Sequence, residues 1–198
     1  EENLIDNLPV LTSLEEFISA GPEVVIDFTV AKASLINLPE IAAAGIHAVV
    51  GTSGLTEADY KFLGGVFNQS ACLIVPNFAI GAVLMMKFAE MASPWFETAE
   101  IIEFHHNNKV DAPSGTAIAT AEIMASASQE WAEDPTSKET LAGTRGGTAE
   151  ANIKIHSVRM EGMVAHQEVL LGTTGQSLLI RHDTTDRSAF MPGVVLAA

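Results

Sequence analysis

The sequence predicts an α/β protein in two parts: a parallel sheet covered by helices on both faces, followed by a mixed α/β domain. Short runs rich in β-branched residues alternate with helical stretches between residues 22 and 78, as is typical of a parallel sheet. Three further strand-like runs follow between residues 152 and 183, and the last two flank a Thr-Thr-Gly turn that indicates a hairpin. The second part is therefore predicted to hold a mostly antiparallel sheet with helices on it.

Composition narrows the class of protein. The chain has 198 residues, of which 47% are hydrophobic and 18% charged, so it can bury a substantial core as one large or two small domains. A net charge of −15 argues against nucleic acid or an anionic membrane as a partner. The single cysteine, Cys72, excludes an internal disulfide and suits a reducing compartment. With neither a membrane-length apolar run nor a signal peptide in view, we expect a cytoplasmic protein.

In the first part, strands and helices are separated by recognisable boundary residues. Strands are predicted at residues 24–28, 46–50 and 71–78, with a helical stretch ending at residue 45 and a second helix at residues 57–70. Gly45 suits the position just past a helix C-terminus, and Thr56 suits an N-cap. Pro39 is expected to kink or divide the first helix.

The pattern changes after Phe78. Helices are predicted at residues 80–92, with a Met/Leu/Phe stripe, and at residues 115–127, with the strand EIIEFHH between them. A polar stretch containing Gly and Pro, residues 132–151, is predicted to be a long loop. The final GVVLAA is apolar and helical, and both ends of the sequence are abrupt. We therefore expect that parts of a larger domain are missing from this sequence.

Residues 105–116, HHNNKVDAPSGT, concentrate cationic and proton-donating groups in a chain that has few of them. His105 and His106 would face opposite ways on a strand unless the strand ends there, and Lys109 follows in a loop. Ser-Gly-Thr at residues 114–116 then begins a helix, whose free N–H groups and dipole favour an anion. Gly115 allows close approach to the backbone, and a histidine can donate a proton near neutral pH. The pattern predicts a carboxylate- or phosphate-binding pocket beside a proton donor.

Simpler readings of the same residues remain open at this point. Ser and Thr are common at helix starts, and most histidines are structural. Glu103 and His105, two residues apart on one strand face, could also be metal ligands, although the ligand set is thin and lacks cysteine.

The whole string resembles a known signature. The pattern E-x-H-H-x-x-K-x-D-A-P-S-G-T-A, over residues 103–117, resembles that of dihydrodipicolinate reductases (4-hydroxy-tetrahydrodipicolinate reductases), enzymes of lysine and diaminopimelate biosynthesis. Further segments look like the family in the family's order: VIDFT (25–29), VVGTSG (49–54), PNFAIGAV (76–83), HSVRMEGMVAHQEVLLG (156–172) and IRHDTTDRSAFMPGV (180–194). The last two are similar to the actinobacterial branch.

The resemblance implies a two-domain homotetramer that uses NADH or NADPH to reduce a cyclic imine dicarboxylate. Residues 1–78 and 185–198 would form a Rossmann-type cofactor domain, and residues 79–184 a substrate-binding and tetramerisation domain. The family's first strand and its G-x-x-G-x-x-G loop have no counterpart here, so we expect the cofactor domain to be incomplete.

The resemblance also implies roles for individual residues. His105 matches the family's proton donor and Lys109 its catalytic lysine, and no metal is expected. His106, Gly115 and Thr116 match substrate-binding residues. The cofactor-contacting residues are matched by Gly51, Thr52, Ser53, Val75, Pro76, Asn77 and Phe78, with serine and valine standing where threonine and alanine are common. Three residues in matching segments, Arg159, His166 and Arg187, receive no role, and His156 and His182 are expected to be structural.

Two other functions are compatible with the sequence. One is a non-catalytic dicarboxylate-binding or assembly subunit that has lost cofactor binding. The other is a different dehydrogenase of amino-acid metabolism, such as an aspartate or homoserine dehydrogenase, against which the complete His-His-x-x-Lys-x-Asp-Ala-Pro-Ser-Gly-Thr string argues.

Overall fold

The chain divides into two compact units. The computed structural model describes residues 4–5 and 8–198, with side chains from residue 8 onward. The first unit runs to Pro76 and also includes Val194–Ala198, whereas the second unit is Asn77–Gly193. Within the described residues, no helix combines the length and apolar character needed to cross a membrane.

The first unit contains a three-stranded parallel sheet in the order β3-β4-β5. Its elements are β1 (Leu4–Ile5), β2 (Leu8–Pro9), α1 (Leu14–Ser19), β3 (Val24–Asp27), α2 (Ala31–Ala43), β4 (His47–Val50), α3 (Glu57–Val66) and β5 (Cys72–Ile74). The predicted parallel arrangement is confirmed. The short strands β1 and β2 pair antiparallel with each other.

Helices α1, α2 and α3 cover one face of this sheet. Side chains of α1, α2 and α3 join a single apolar cluster with the side chains of β4, in which Leu38 and Leu63 are fully buried. On the opposite face, Ile26 and Leu73 are each 47% exposed. Val49 of the central strand lies on the same face as Ile26 and Leu73 and is only 3% exposed, so this face is buried at its centre.

Of the two effects expected at Pro39, a kink or a division of the first helix, the structure excludes the division. Residues on both sides of Pro39 belong to one helix, α2, and Leu38 and Ile41 are both buried in the same core. Packing of that apolar face outweighs the loss of one backbone hydrogen bond. The predicted end is confirmed: Gly45 has a φ of +73° and donates its N–H to the Ala42 carbonyl.

The N-terminus of α3 is also as predicted, but its end is not. The Thr56 hydroxyl accepts from the Asp59 N–H, while the Asp59 carboxylate accepts from the Thr56 N–H at 2.7 Å, which makes a capping box. The helix ends at Val66 rather than near residue 70, because Phe67 leaves the helical backbone region. The polar residues that follow favour a turn over another helical turn.

The second unit contains a five-stranded mixed sheet in the order β10-β9-β6-β8-β7. Its strands and α-helices are α4 (Ile80–Ala92), β6 (Thr98–His105), α5 (Gly115–Ala127), β7 (Gly147–Thr148), β8 (Lys154–Arg159), β9 (Ala165–Thr173), β10 (Gln176–Thr184) and α6 (Met191–Ala197), which crosses into the first unit. Three-residue or four-residue 3-10 turns lie at Ser93–Trp95, Glu150–Asn152 and Arg187–Phe190. β6 pairs parallel with β8, and the other pairings are antiparallel.

Most of the second unit is as predicted. Helices α4 and α5 have the predicted bounds, and the hairpin brings Thr173 opposite Gln176. The apolar stripe of α4 is divided, however: Met85 is buried in the core, but Phe88 and Met91 are 51% and 71% exposed. Helices α4 and α5 pack on the sheet face that carries Ile101 of β6.

Burial on α3 gives a direct test of this arrangement. Leu63 is fully buried and its neighbour Phe62 is 48% exposed. We expect Leu63→Ala to lower the free energy of unfolding by about 2–5 kcal/mol, because it leaves a cavity, and Phe62→Ala to cost much less. Urea unfolding of both variants measures this, and equal losses would contradict the packing of α3.

Candidate active site

The histidines lie where strand β6 ends and the chain turns. His105 is the last residue of β6, and its carbonyl accepts the N–H of Met160, which follows β8. The carbonyl of His106 accepts the Lys109 N–H at 3.1 Å, which closes a tight turn. The strand therefore ends between the two histidines, and Lys109 is brought back towards the strand end.

Beneath this turn lies a fully buried carboxylate. Glu103 is on the helix-facing side of β6, with no exposed side-chain surface. Its Oε2 is 2.5 Å from Nδ1 of His105, and its Oε1 accepts the backbone N–H of Ser114 at 3.3 Å. One carboxylate thus contacts both the histidine and the residue that caps helix α5.

Arg159, the last residue of β8, neutralises this carboxylate. Its two terminal nitrogens donate to the two oxygens of Glu103, each at 2.8 Å. The same guanidinium donates to the carbonyl of Asp111 at 2.7 Å and to that of Val158 at 2.9 Å. A bidentate pair of this kind fixes orientation as well as charge. Arg159 therefore joins two parallel strands and the Lys109–Asp111 loop.

Electrostatics keep Glu103 ionised. Burial alone would raise its pKa, but hydrogen bonds from His105, Arg159 and Ser157 outweigh burial and lower the pKa from 4.5 to about 2. An ionised carboxylate can only accept hydrogen bonds, so the hydrogen between Glu103 and His105 belongs to Nδ1 of the histidine.

Lys109 is paired with the carboxylate of Asp111. Its ammonium lies 2.8 and 2.7 Å from the two carboxylate oxygens of Asp111. The Asp111 side chain is 62% exposed, and the hydrogen bond from Lys109 lowers its pKa. Because the Asp111 side chain is exposed, solvent screens this pair, so a second carboxylate can compete for the lysine.

The start of α5 has the geometry expected of an anion site. Ser114 is the N-cap, and its hydroxyl accepts the Ala117 N–H at 3.2 Å. Gly115 is exposed, with open space where a Cβ would lie, so its backbone is accessible. The Thr116 hydroxyl accepts from the Asn77 amide at 3.3 Å. The predicted substrate residues Gly115 and Thr116 therefore stand together on one helix end.

The first predicted cofactor segment, residues 51–53, follows strand β4 in the first unit. A Cβ at Gly51 would lie 2.3 Å from the Phe28 ring, so a larger residue here would require that ring to move. Thr52 is buried, its hydroxyl accepting from Ser34 at 3.0 Å, and so its side chain faces the protein. Ser53 is exposed. A ligand at this strand end would meet the Ser53 hydroxyl and the backbone of the turn.

A buried aspartate supports that turn. Asp27 ends β3, and its Oδ1 accepts from both the N–H and the hydroxyl of Thr29, at 2.8 and 2.6 Å. Burial alone would raise the pKa of Asp27, but the surrounding hydroxyl groups lower it below its ordinary value. Its other oxygen, Oδ2, is buried and has no hydrogen-bond partner among the described residues.

The second predicted cofactor segment follows β5. Val75 donates its N–H to the Val50 carbonyl, so this segment leaves the same sheet edge as residues 51–53. Pro76 is exposed and ends the first unit, whereas Asn77 and the buried Phe78 belong to the second. The Asn77 side chain accepts from the Ala79 N–H and donates to Thr116, so it contacts a predicted substrate residue.

The remaining histidines and arginines lie outside this cluster of bonds. His156 contacts Glu100 at 2.8 Å, His166 contacts Asp183 at 2.7 Å, and Arg187 begins a 3-10 turn. His182 is close to the backbone of Gly81, where a Cβ would lie 2.5 Å from its ring, and burial lowers its pKa.

Sequence reasoning missed the role of Arg159 and considered Glu103 only as a metal ligand. In the structure both Glu103 oxygens are engaged by Arg159, and the described residues include no cluster of three or more metal-ligating side chains. One signal was available: a glutamate between apolar strand residues needs a partner for its buried charge. The partner itself depends on the parallel pairing of β6 with β8, which local pattern does not reveal.

The ionisation of Glu103 predicts how stability depends on pH. Because its pKa is lower in the folded protein, its contribution is fully present above about pH 4.5 and is lost as pH falls towards about 2. Urea unfolding between pH 6 and 2.5 should show a steeper loss for the wild type than for Glu103→Gln, which has no such proton to take up. Parallel curves for the two proteins would contradict the lowered pKa.

Comparisons with known proteins identify the family. The family model described as dihydrodipicolinate reductase, N-terminus, matches residues 3–78, and that described as dihydrodipicolinate reductase, C-terminus, matches residues 81–198. The 4-hydroxy-tetrahydrodipicolinate reductase of Corynebacterium urealyticum is 50% identical over 189 residues, which cover 92% of this chain and 76% of that protein. The enzyme of the same name from Gloeothece citriformis is 46% identical over 198 residues, covering 96% and 72%.

A solved structure agrees with these relatives. The dipicolinate-bound dihydrodipicolinate reductase from Paenisporosarcina sp. TG-14 is 40% identical and superposes with a TM-score of 0.85, covering 99% of this chain and 75% of that one. This likeness confirms the predicted combination of a Rossmann-type parallel sheet with a mixed α/β domain. The resemblance drawn from the signature at residues 103–117 and from the further segments is confirmed over nearly the whole chain. The chain belongs to the dihydrodipicolinate reductase family.

Proposed function

We propose that this chain reduces 4-hydroxy-tetrahydrodipicolinate (dihydrodipicolinate) to tetrahydrodipicolinate with NADH or NADPH, in lysine and diaminopimelate biosynthesis. The observation that carries the proposal is the joining of His105, Lys109 and the start of α5 through Glu103 and Arg159. The family relationship supplies the substrate class, since a related enzyme binds dipicolinate.

Two carboxylates of the substrate have suitable partners in the second unit. The N–H groups that begin α5, with the Thr116 hydroxyl, suit one carboxylate, because helix N-termini favour anions. The Lys109 ammonium suits the other once it leaves Asp111. His106, half-buried beside the turn, completes the proposed substrate residues.

His105 is the proposed proton donor. Reduction of the ring adds a hydride and leaves a centre that must take up a proton. With Nδ1 directed at Glu103, the histidine has Nε2 available for that transfer. Lys109, on the same turn, would hold the substrate and stabilise negative charge as the proton moves.

The first unit is suited to a dinucleotide. When bound, the nicotinamide supplies the hydride. Residues 51–53 and Val75–Pro76 leave neighbouring parallel strands at their carboxyl ends, where such sheets bind ligands. The turn also has a glycine packed against the Phe28 ring, and a buried Asp27 oxygen beside it has no hydrogen-bond partner among the described residues. These features fit the cofactor residues proposed above, with Asn77 and Phe78 in the second unit.

We also propose that the protein is a cytoplasmic homotetramer, built through residues 79–184, with residues 1–78 and 185–198 holding the cofactor. The support is the resemblance to the family. Light scattering during gel filtration tests the tetramer.

The activity is tested by following NADH and NADPH oxidation with substrate generated from pyruvate and aspartate semialdehyde. We expect oxidation that depends on both precursors. Saturable binding of pyridine-2,6-dicarboxylate without oxidation would favour a non-catalytic dicarboxylate-binding subunit. Absence of both signals in a folded protein would contradict the proposal.

Substitutions at the two proposed catalytic residues test their roles. His105→Ala and Lys109→Ala should each lower turnover about 100-fold or more, the usual scale for a lost proton donor or a lost charge. Lys87→Ala is a matched control, because Lys87 is an exposed residue of α4 paired only locally with Glu90. Wild-type turnover in both site variants would defeat the assignment.

A further inference from the structure

We infer that Glu103 is a positioning residue for the reaction: it holds the His105 ring with hydrogen on Nδ1 and thereby makes Nε2 the atom that exchanges a proton with substrate. The inference deepens the proposed function and rests on it. It is drawn from the buried contacts of Glu103, and it assigns to this residue a role distinct from substrate contact.

Glu103 determines which nitrogen of the His105 ring bears the hydrogen. Glu103 is fully buried and receives both terminal nitrogens of Arg159, so it stands as a carboxylate that can only accept. Its Oε2 lies 2.5 Å from Nδ1 of His105. Nδ1 must therefore donate. The ring that donates a proton is the imidazolium, with hydrogen on both nitrogens; because Nδ1–H stays bonded to Glu103, the proton leaves from Nε2, and the neutral ring that remains has its lone pair there.

Glu103 also fixes the orientation of the His105 ring. The His105 side chain is 16% exposed, so it is largely enclosed but reaches the surface. A short bond to a fully buried group at one ring nitrogen fixes the rotation of the ring, and the opposite nitrogen then points away from Glu103. Carboxylates play this part beside catalytic and metal-bound histidines in other proteins.

Glu103 is also connected to the other parts of the proposed site. The other Glu103 oxygen accepts the N–H of Ser114 at 3.3 Å, directly before the anion-binding start of α5. Arg159, which holds Glu103, also holds the Asp111 carbonyl in the loop that carries Lys109. The proton donor, the lysine loop and the helix end are therefore fixed to one carboxylate, and their relative positions depend on it.

The surroundings of Glu103 leave Arg159 and His105 as its charged or titratable partners. On β8 the residue opposite Glu103 is Ser157, and on β9 it is Gln167, both of which are neutral. Helix α5 contributes the backbone N–H of Ser114. Replacing the carboxylate by an amide therefore changes mainly the bonds to the arginine and the histidine.

Glu103→Gln is the informative substitution. One guanidinium nitrogen faces each oxygen of Glu103, so Arg159 does not select the orientation of the new amide. The Ser114 N–H can only donate, so it favours the amide oxygen at the Oε1 position and the NH₂ group at the position facing His105. An NH₂ donor at this position favours a bare Nδ1, which leaves the neutral ring with its hydrogen on Nε2 and disfavours the doubly protonated ring that must donate the proton. We expect turnover to fall about 100-fold, on the scale of other losses of proton donors, with a smaller change in KM.

The chain offers a matched control on the same strand. Glu100 also pairs with a histidine and an arginine, His156 and Arg145, each at 2.8 Å, but it is partly exposed and contacts none of the proposed catalytic residues. Glu100→Gln thus removes an equivalent carboxylate. We expect it to leave turnover within about threefold of wild type, as is usual for substitutions away from the site.

The ring nitrogens can be observed directly by ¹⁵N NMR of the full chain labelled at histidine, with the His105 signals assigned by their loss in His105→Gln. The wild type and Glu100→Gln should show a protonated Nδ1 and an unprotonated Nε2 at alkaline pH, and Glu103→Gln should show the reverse. Wild-type turnover in Glu103→Gln, or a wild-type His105 with hydrogen on Nε2, would overturn the inference.

The wild-type spectrum shows by itself which nitrogen of His105 carries the hydrogen, so the inference is tested even if Glu103→Gln does not fold. It also separates the inference from the proposed function. An inactive wild type whose His105 carries hydrogen on Nδ1 would contradict the proposed reductase activity but agree with the inferred position of the hydrogen on the ring. An active wild type whose His105 carries hydrogen on Nε2 would contradict the role inferred for Glu103 but agree with the proposed reductase activity.

Discussion

The buried ion pair between Glu103 and Arg159 is the interaction on which the arrangement of the site depends. A carboxylate with no exposed surface is costly unless it is neutralised and fully hydrogen-bonded, and here both oxygens are bonded by Arg159. The cost of burial makes the geometry strict, because a displaced partner would leave a charge unpaired in the core. The strand ends of β6 and β8 are held in register by this pair, and the turn that begins at His106 starts from that fixed edge.

The two cations of the site are paired in different ways, and the difference suits their proposed roles. The chain has only 10 Lys and Arg against 25 Asp and Glu, so cations at a binding site are readily claimed by carboxylates. Arg159 is committed to a buried partner that substrate does not replace. Lys109 is held by the exposed Asp111, so a carboxylate of the substrate can exchange with it. Arg159 therefore stabilises the structure of the site, and Lys109 is available to bind the substrate.

Much of the fold could be predicted from sequence because the signals were local. Ser114 and the residues after it marked the start of α5 correctly, and Gly45 and Thr56 marked boundaries of α2 and α3 through their backbone and capping preferences. The predictions that failed required tertiary information. Packing of Leu38 and Ile41 decided that α2 continues through Pro39 without a break. The chemistry of residues 105–116 could likewise be predicted, but the partner of Glu103 lies 56 residues away in sequence and is set by strand pairing.

The central claim is that a cyclic dicarboxylate docks between the turn after β6 and the start of α5. The most direct test is to titrate the full chain with pyridine-2,6-dicarboxylate and to follow its amide resonances by NMR. The account predicts saturable shifts concentrated at residues 105–116, including the N–H groups of Gly115 and Thr116. Saturable shifts that leave those residues unchanged, or no shifts at all in the folded protein, would contradict it.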